Sequence, residues 1–287
     1  TGKKTALTIL SLGVCGILLM ASSAYFNSID PLAMARRSFP YGEIRLELGD
    51  YGPQAHNSEQ YSELQKSNLL TEDFRESILD IDGVEEIKEY QGTVLNVRMP
   101  TGDIEPIVSD AYTPSSQKLL EQYLIDGTAD LQELLNNNGI IIENGPQWKE
   151  TFGWDAAIGD ELLIEVSGQT LEVKVMGIVD ANIPYGGYDT LFIPLEMLSK
   201  IVPIDNLNYQ FIVDTDDSKW AAAKDEIQKI IPPTSSLYVS TLNDWVEAYN
   251  EKLLNYRMPV YIFVMFIGVF GIINLLNTLI TLSLIHI

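Results

Sequence analysis

The chain has 287 residues, of which 40 are acidic and 18 are basic, so its formal net charge is −22. Such an acidic chain is a poor partner for nucleic acid, because phosphate binding requires a basic surface. Its single cysteine excludes an internal disulfide, and with it a disulfide-stapled secreted fold. A large extracytoplasmic domain without disulfides fits a bacterial surface better than a eukaryotic ectodomain.

Two uncharged, apolar segments lie near the ends of the chain, at 5–26 and from Met258 onwards. A bilayer core about 30 Å thick is crossed by roughly 20 helical residues, since a helix rises about 1.5 Å per residue. The sequence therefore predicts membrane helices at 5–26 and 258–281. Two lysines in the stub 1–4 favour a cytoplasmic location for it. The alternative for the first segment is a signal peptide cleaved after the small residues at 22–24.

The region between the two apolar segments, 27–257, is predicted to be an extracytoplasmic domain. It contains all 40 acidic residues and 16 basic ones (18 less the lysines at positions 3 and 4), so its charge is about −24. A loop of this size crosses a membrane largely regardless of its charge. An acidic outer face does predict attraction for cationic peptides, which we keep as a hypothesis about partners.

A strand and helix pattern occurs at both ends of this region. Alternating apolar and charged residues at 43–48 predict a strand, and Thr71 is a suitable N-cap for a helix at 72–80. Strands are predicted next at 84–90 and 93–99. The pattern returns later as a strand at 209–214, an amphipathic helix at 219–231 with Trp220, Ala223, Ile227 and Ile230 facing inward, and a strand at 236–240.

The stretch between these two patterns is rich in predicted strands. They lie at 104–111, 139–143, 161–166, 170–179 and 190–194. We therefore predict an α+β fold, in which a discontinuous βα subdomain, 36–103 with 206–257, receives an inserted β-rich subdomain at 104–205. Two transmembrane helices would bracket this domain.

The last helix of the domain is predicted to begin at Thr241. No residue breaks its pattern before Met258, and Pro259 is the one candidate for a kink. The sequence thus predicts a single helical rod that runs from the domain into the second membrane segment.

Residues suited to catalysis or metal binding are scarce. The two histidines, His56 and His286, lie in a predicted loop and at the chain end, so they cannot form a metal cluster or a histidine-based triad. The sequence has no G-x-x-x-x-G-K-[ST] motif to cradle ATP. We therefore expect no enzymatic activity and no cofactor, and we interpret the many paired carboxylates as solvated surface.

Small and polar residues are found within both apolar segments. In the second, Gly271, Asn274, Thr278 and Thr281 fall near one helical face, with Asn277 beside it. In a membrane such residues favour close packing against another helix, where amides and hydroxyls find hydrogen bonds. We therefore predict that these five are helix-packing positions. The first segment has a similar face, formed by Thr8, Ser11, Cys15 and Ser22.

Several segments, in order, resemble one known family. They are 3–13, 27–31 and 35–42 around the first apolar segment, and GIIIE at 139–143, IGDEL at 158–162 and VKVMGIVD at 173–180. Together they resemble the permease subunit of MacB/FtsX-type ABC transporters, in particular the long permeases of Bacillota. The resemblance spans nearly the whole chain.

This resemblance implies a multi-pass protein of the bacterial cell membrane. It implies two protein partners, a separate cytoplasmic ABC ATPase subunit and a second permease half or homodimer partner, besides the surrounding membrane lipid. ATP-driven motion would pass through the membrane helices to the outer domain, which acts on peptides, antibiotics or lipoproteins. The family offers no catalytic residue to look for here.

The chain also departs from that pattern. It lacks further membrane helices and the segment that meets the ATPase, and it starts without Met. The six letters at 282–287 match a reading frame of a transposon adapter used in DNA library preparation. We therefore expect a truncated fragment with a non-native tail at 282–287. Two other functions stay open: a two-span sensor that binds a ligand outside, and a secreted binding protein with a cleaved signal.

Overall fold

The computed structural model describes residues 2–50, 52–166, 168–183 and 190–285. The chain divides into a smaller unit, Thr1–Arg37 with Asn243–Ile287, and a larger unit, Ser38–Leu242. The α-helices are α1 (Gly2–Ser28), α2 (Pro31–Ser38), α3 (Ser58–Lys66), α4 (Glu72–Leu79), α5 (Pro114–Gln122), α6 (Leu131–Asn136), α7 (Gln147–Phe152), α8 (Leu195–Ile201), α9 (Trp220–Ile230) and α10 (Leu242–Ile285). The strands are β1 (Ile44–Leu48), β2 (Val84–Arg98), β3 (Ile104–Tyr112), β4 (Leu124–Gly127), β5 (Gly139–Asn144), β6 (Glu161–Val166), β7 (Gln169–Asp180), β8 (Leu191–Pro194), β9 (Asn208–Thr215) and β10 (Leu237–Thr241).

The described strands form one continuous hydrogen-bonded sheet in the larger unit. Their order is β10-β1-β9-β2-β3-β8-β5-β7-β4, and β6 pairs with both β2 and β7. The pairs β3–β8 and β5–β7 are parallel, whereas the other pairs are antiparallel. The α+β class that the sequence predicts is thereby confirmed.

The first part of the sheet, β10-β1-β9 with the beginning of β2, carries its own hydrophobic core. Helices α3, α4 and α9 cover it, and Tyr61, Ile78 and Ile227 are fully buried against β1 and β9. Thr71 accepts a hydrogen bond from the backbone N–H of Phe74 and so caps α4, as predicted. Capping satisfies a backbone donor that the first turn would otherwise leave without a partner.

The second part of the sheet, from the end of β2 to β4, has two further cores. One packs Leu198 of α8 with the indole rings of Trp148 and Trp154, which meet edge to face at 5.4 Å. The other packs Leu120 of α5 and Leu134 of α6 on the opposite face. The assignment of these parts to a discontinuous subdomain and an insert stays a prediction.

Two local predictions are wrong in detail. The sequence predicts separate strands at 84–90 and 93–99, but β2 is a single strand that changes partner halfway, so the chain needs no turn there. Ile230 is exposed, because α9 ends there and its buried face consists of Ala223 and Ile227. Helix α2 lies within a stretch that the sequence analysis leaves unassigned.

Helix α10 is one uninterrupted helix of 44 residues, with Pro259 inside it. The predicted continuity of this helix into the second apolar segment is therefore confirmed for the backbone. Among the described residues, α10 is the helix found long and apolar enough to cross a membrane, and only 11% of its apolar window is buried. Helix α1 covers the first predicted membrane segment, and its role as a span stays a prediction.

Candidate functional site

The smaller unit contains a contact between α1 and α10. Near the middle of α1, the Cys15 thiol donates a hydrogen bond to the backbone oxygen of Val264, with Sγ and O 3.4 Å apart. A Cβ atom on Gly268 would lie 3.5 Å from that sulfur, which is ordinary van der Waals contact. An alanine would therefore also fit at Gly268, and a small residue at this position lets the two helices approach closely.

The same two helices are joined near the end of α1. Arg257 donates a hydrogen bond from Nη2 to the backbone oxygen of Phe26, at 2.5 Å. The Phe26 ring meets the ring of Tyr261 edge to face at 6.1 Å between centroids. Because the last carbonyls of a helix lack partners within it, an arginine at this position both satisfies one of them and holds the helices together.

The predicted helix-packing positions lie further along α10. Gly271 is buried, whereas Asn274 and Asn277 are exposed. The side chains of Thr278 and Thr281, like those of Thr8 and Ser11 in α1, lie outside the described residues. Packing of these positions against further helices stays a prediction. The sequence analysis missed Gly268, although it lies three residues before Gly271 and so on a neighbouring part of the same helix surface.

In the larger unit, strand β2 changes its pairing partner partway along its length. Residues 84–91 of β2 pair with β9, a bulge separates Tyr90 from Gln91, and the pairing with β3 begins where Gly92 faces Asp110. A Cβ atom on Gly92 would lie 2.4 Å from the backbone oxygen of Ser109. Glycine therefore allows β2 and β3 to approach closely where β2 changes partner, a point that we call the crossover.

A buried glutamine holds the crossover in place. Gln65 of α3 donates from Nε2 to the Gly92 oxygen at 2.8 Å and accepts from the Thr93 hydroxyl at 2.6 Å. Both ends of its amide are thus hydrogen-bonded, as a buried polar group requires. The backbone N–H of Gly92 donates to the oxygen of Leu207, at 2.8 Å. The position of the crossover is fixed from both sides.

An aspartate lies beside this crossover in a poorly solvated environment. The Asp110 carboxylate accepts a hydrogen bond from the Tyr209 hydroxyl, and its Oδ1 atom is buried without a hydrogen-bond partner among the described residues. Burial raises the pKa of Asp110 from its ordinary value of 3.8 to about 7, and the Tyr209 hydrogen bond opposes this increase. Burial and the neighbouring carboxylates likewise raise the pKa values of Tyr61 and Tyr209 above the usual range.

Asp110 also lines an open groove of about 620 Å³, a size typical of small-ligand sites. One wall is the segment 86–91 of β2, and the other is the end of β3 with the first turns of α5. The Lys88 ammonium lies 3.5 Å from the centre of the Tyr41 ring, within the range of a cation–π contact. Glu89 in the same groove forms an ion pair with Arg75, with Nε and Oε1 2.8 Å apart. We call this feature the Asp110 groove.

The described residues do not present a metal centre: no group of three or more His, Cys, Asp or Glu side chains lies close enough to hold an ion. His56 has a structural position instead, with Nδ1 2.9 Å from the Gly52 oxygen and its ring near Tyr61. His286 lies outside the described residues.

Sequence reasoning missed the Asp110 groove. It treated acidic residues as solvated surface, which holds for most of them, and Asp110 lies in a strand whose neighbours are not strongly apolar. No local signal marks Asp110, because β3 mixes buried, half-buried and exposed residues. The contacts with Gly92 and Tyr209 come from distant parts of the chain and leave no local pattern.

Comparison with known proteins gives structural neighbours but no sequence relatives. The chain matches no protein-family model, and no curated protein matches it. A crystal structure of the extracellular domain of the noncanonic ABC-type transporter YknZ from Gram-positive bacteria is 16% identical, with a TM-score of 0.38, and the match covers 69% of this chain and 100% of that one. The periplasmic region of MacB from Actinobacillus actinomycetemcomitans is 7% identical, with a TM-score of 0.42, covering 73% and 92%.

A third neighbour is a domain assigned to a permease protein from Porphyromonas gingivalis. It is 14% identical, with a TM-score of 0.34, and the match covers 69% of this chain and 88% of that one. Similarities at these TM-scores do not by themselves establish a shared fold.

Proposed function

We propose that this chain is part of the membrane permease subunit of an ABC transporter. In this proposal a separate cytoplasmic ATPase drives motion of the membrane helices, and α10 passes that motion to the extracytoplasmic unit. A second permease half or a second copy would complete the transporter. The outer unit would act on peptides, antibiotics or lipoproteins at the membrane surface. The sequence resemblance described above supplies the class of protein.

The observation that carries the proposal is the connection of α10 to the sheet. The helix begins at Leu242, immediately after β10, and the Leu242 N–H donates to the Glu43 oxygen at 2.9 Å. Thr241, the last residue of β10, pairs with Ile44 of β1. The first residue of the helix is therefore hydrogen-bonded to the backbone that leads into β1, within the larger unit. In this proposal, motion of α10 would reach the sheet through that bond.

The length of α10 supports the same proposal. At about 1.5 Å per residue, 44 residues extend about 66 Å, roughly twice the thickness of a bilayer core. One helix can thus cross a membrane and still reach well outside it. A stiff element of this length transmits a movement along its axis, whereas a flexible linker does not.

The test is to interrupt this helix in the transporter complex. The full-length native protein is tagged, and the proteins that co-purify with it are identified; an ABC ATPase is expected. A fluorescent label is then attached to a cysteine at the exposed position Asp103, after Cys15→Ala and replacement of any cysteine outside residues 1–287. The complex is placed in lipid nanodiscs, and the change in label fluorescence on adding ATP is measured.

Insertion of three glycines after the exposed residue Asn250 should abolish the ATP-dependent change in fluorescence while ATP hydrolysis continues. The same insertion after Gly153, an open left-handed position at the end of α7, should leave that change intact. The proposal is refuted if no ABC ATPase co-purifies, or if the insertion in α10 has no more effect than the control insertion.

A two-span sensor is the second candidate function, favoured by the ligand-sized Asp110 groove. A sensor would change its helix contacts when a ligand binds, without ATP. Cross-linking between α1 and α10 that responds to a ligand alone, in the absence of any co-purifying ATPase, would favour the sensor.

A further inference from the structure

We propose that the Asp110 groove binds an organic cation, namely a primary ammonium or guanidinium group carried on a short apolar stem. The inference deepens the proposed function, because it names the chemistry of the ligand that the outer unit recognises. It does not depend on the partner ATPase, since binding occurs within the larger unit alone.

The first argument is the carboxylate of Asp110, which lines the groove and has no ion-pair partner among the described residues. Its Oδ1 atom is closed to solvent against the backbone of Gly92, so a ligand would meet the part of Asp110 that reaches the groove. A poorly solvated carboxylate without a counter-charge is costly. A ligand that carries a positive charge would supply the missing counter-charge.

The second argument is the balance of charge in the groove. Asp110, Glu86 and Glu89 contribute carboxylates, whereas Lys88 is the one basic side chain among the described lining residues. Glu89 is already paired with Arg75, and the Lys88 ammonium lies over the Tyr41 ring. Glu86 and Asp110 therefore remain as the negative groups nearest to open space. An anionic ligand would have to approach both of them.

The third argument is the nature of the walls. Tyr41 already holds an ammonium group over its face, so this wall is suited to cations. Across the groove, Leu119, Leu120 and Phe192 provide apolar surface for an aliphatic stem. A few charged groups at the base and apolar walls around them are the usual composition of a small-ligand site.

The pKa of Asp110, raised by burial to about 7, is consistent with a site that lacks its cation. A bound positive charge would favour the ionised carboxylate and lower that pKa. Binding measurements are therefore best made at pH 8, where the carboxylate is already mostly ionised.

The test uses the full chain in nanodiscs of zwitterionic phosphatidylcholine, so that lipid headgroups do not compete for the cation. The probe is a tripeptide Ala-Lys-Ala with both ends blocked, titrated calorimetrically at pH 8 and low salt. Three controls accompany it: the same peptide with an acetylated lysine, the blocked peptide Ala-Glu-Ala, and nanodiscs without protein. Because no ATP is added, the outcome is independent of the test of the transporter function.

The lysine peptide should bind at least about tenfold more tightly than its acetylated form, as expected for a hydrogen bond between charged groups. Asp110→Asn should weaken binding by about tenfold or more. Glu86→Gln, at an exposed position where folding is not at risk, should weaken it by roughly two- to threefold. Glu172→Gln removes one exposed carboxylate outside the groove and should change the affinity by less than about twofold.

The inference is overturned by equal binding of the acetylated peptide, by tighter binding of Ala-Glu-Ala, or by no binding of any peptide. It is also overturned if Asp110→Asn and Glu86→Gln bind as well as the Glu172→Gln control.

Discussion

Replacing Asp110 by asparagine is expected to remove much of the pH dependence of folding between pH 5 and pH 8. Asparagine has nearly the same shape and can still accept the hydrogen bond of Tyr209, but it cannot ionise. In the native chain, burial raises the pKa of Asp110 from 3.8 to about 7. The unfolded chain ionises near the ordinary value, so the two states bind different numbers of protons over this range.

The sign of the effect follows from the raised pKa. Between pH 4 and pH 7 the folded state binds the proton more tightly than the unfolded state, so its stability falls as the pH rises through this window. The difference between 3.8 and about 7, converted at about 1.4 kcal/mol per pH unit, corresponds to a total of about 4 kcal/mol. Roughly 2 to 3 kcal/mol of this loss falls between pH 5 and pH 8.

Neighbouring groups do not change this expectation. Burial also raises the pKa of Glu47, which lies near Tyr61, but Glu47 is present in both proteins and its effect cancels in the comparison. The raised pKa values of Tyr61 and Tyr209 place their ionisation above the range that is measured. The difference between the two proteins thus reports on Asp110.

The assay is urea unfolding of the full chain in detergent, followed by the fluorescence of the buried Trp148 and Trp154. Asp110→Asn should gain stability relative to the native chain as the pH rises from 5 to 8, by roughly 2 to 3 kcal/mol. Glu172→Gln, which removes an exposed carboxylate, should follow the native chain at every pH. Parallel curves for the native chain and Asp110→Asn would refute the assignment of a buried, poorly solvated carboxylate.

Two further predictions concern packing. Gly92→Val should destabilise the larger unit by about 2 kcal/mol or more, because a Cβ atom there would lie 2.4 Å from the Ser109 oxygen. Denaturant unfolding would measure this loss of stability. An unchanged unfolding midpoint would contradict the close approach of β2 and β3. Arg257→Ala should weaken the contact between α1 and α10 by about 1 to 2 kcal/mol through loss of the hydrogen bond to the Phe26 oxygen. Cross-linking yield between the two helices would detect it, with the exposed Lys252→Ala as control, and equal yields for both variants would contradict a role for this bond.

Local elements of this protein are determined by short stretches of sequence. The cap at Thr71 and the strand at 161–166 are found where the sequence predicts them. Such elements depend on residues within three or four positions of one another, through capping, helical spacing or alternation along a strand. The continuity of α10 is also predicted locally, because the sequence has no glycine or proline between Leu242 and Met258.

The Asp110 groove was decided by the tertiary structure alone. Asp110 faces Gly92 and bonds Tyr209, residues that are distant in sequence and are brought together by the change of partner along β2. Nothing in the residues adjacent to Asp110 distinguishes it from the other acidic residues of this chain, because a carboxylate's pKa and its need for a partner depend on burial by remote side chains. Local sequence thus determined many of the helices and strands, whereas only their assembly determined that β2 would change partner and which carboxylate would be buried.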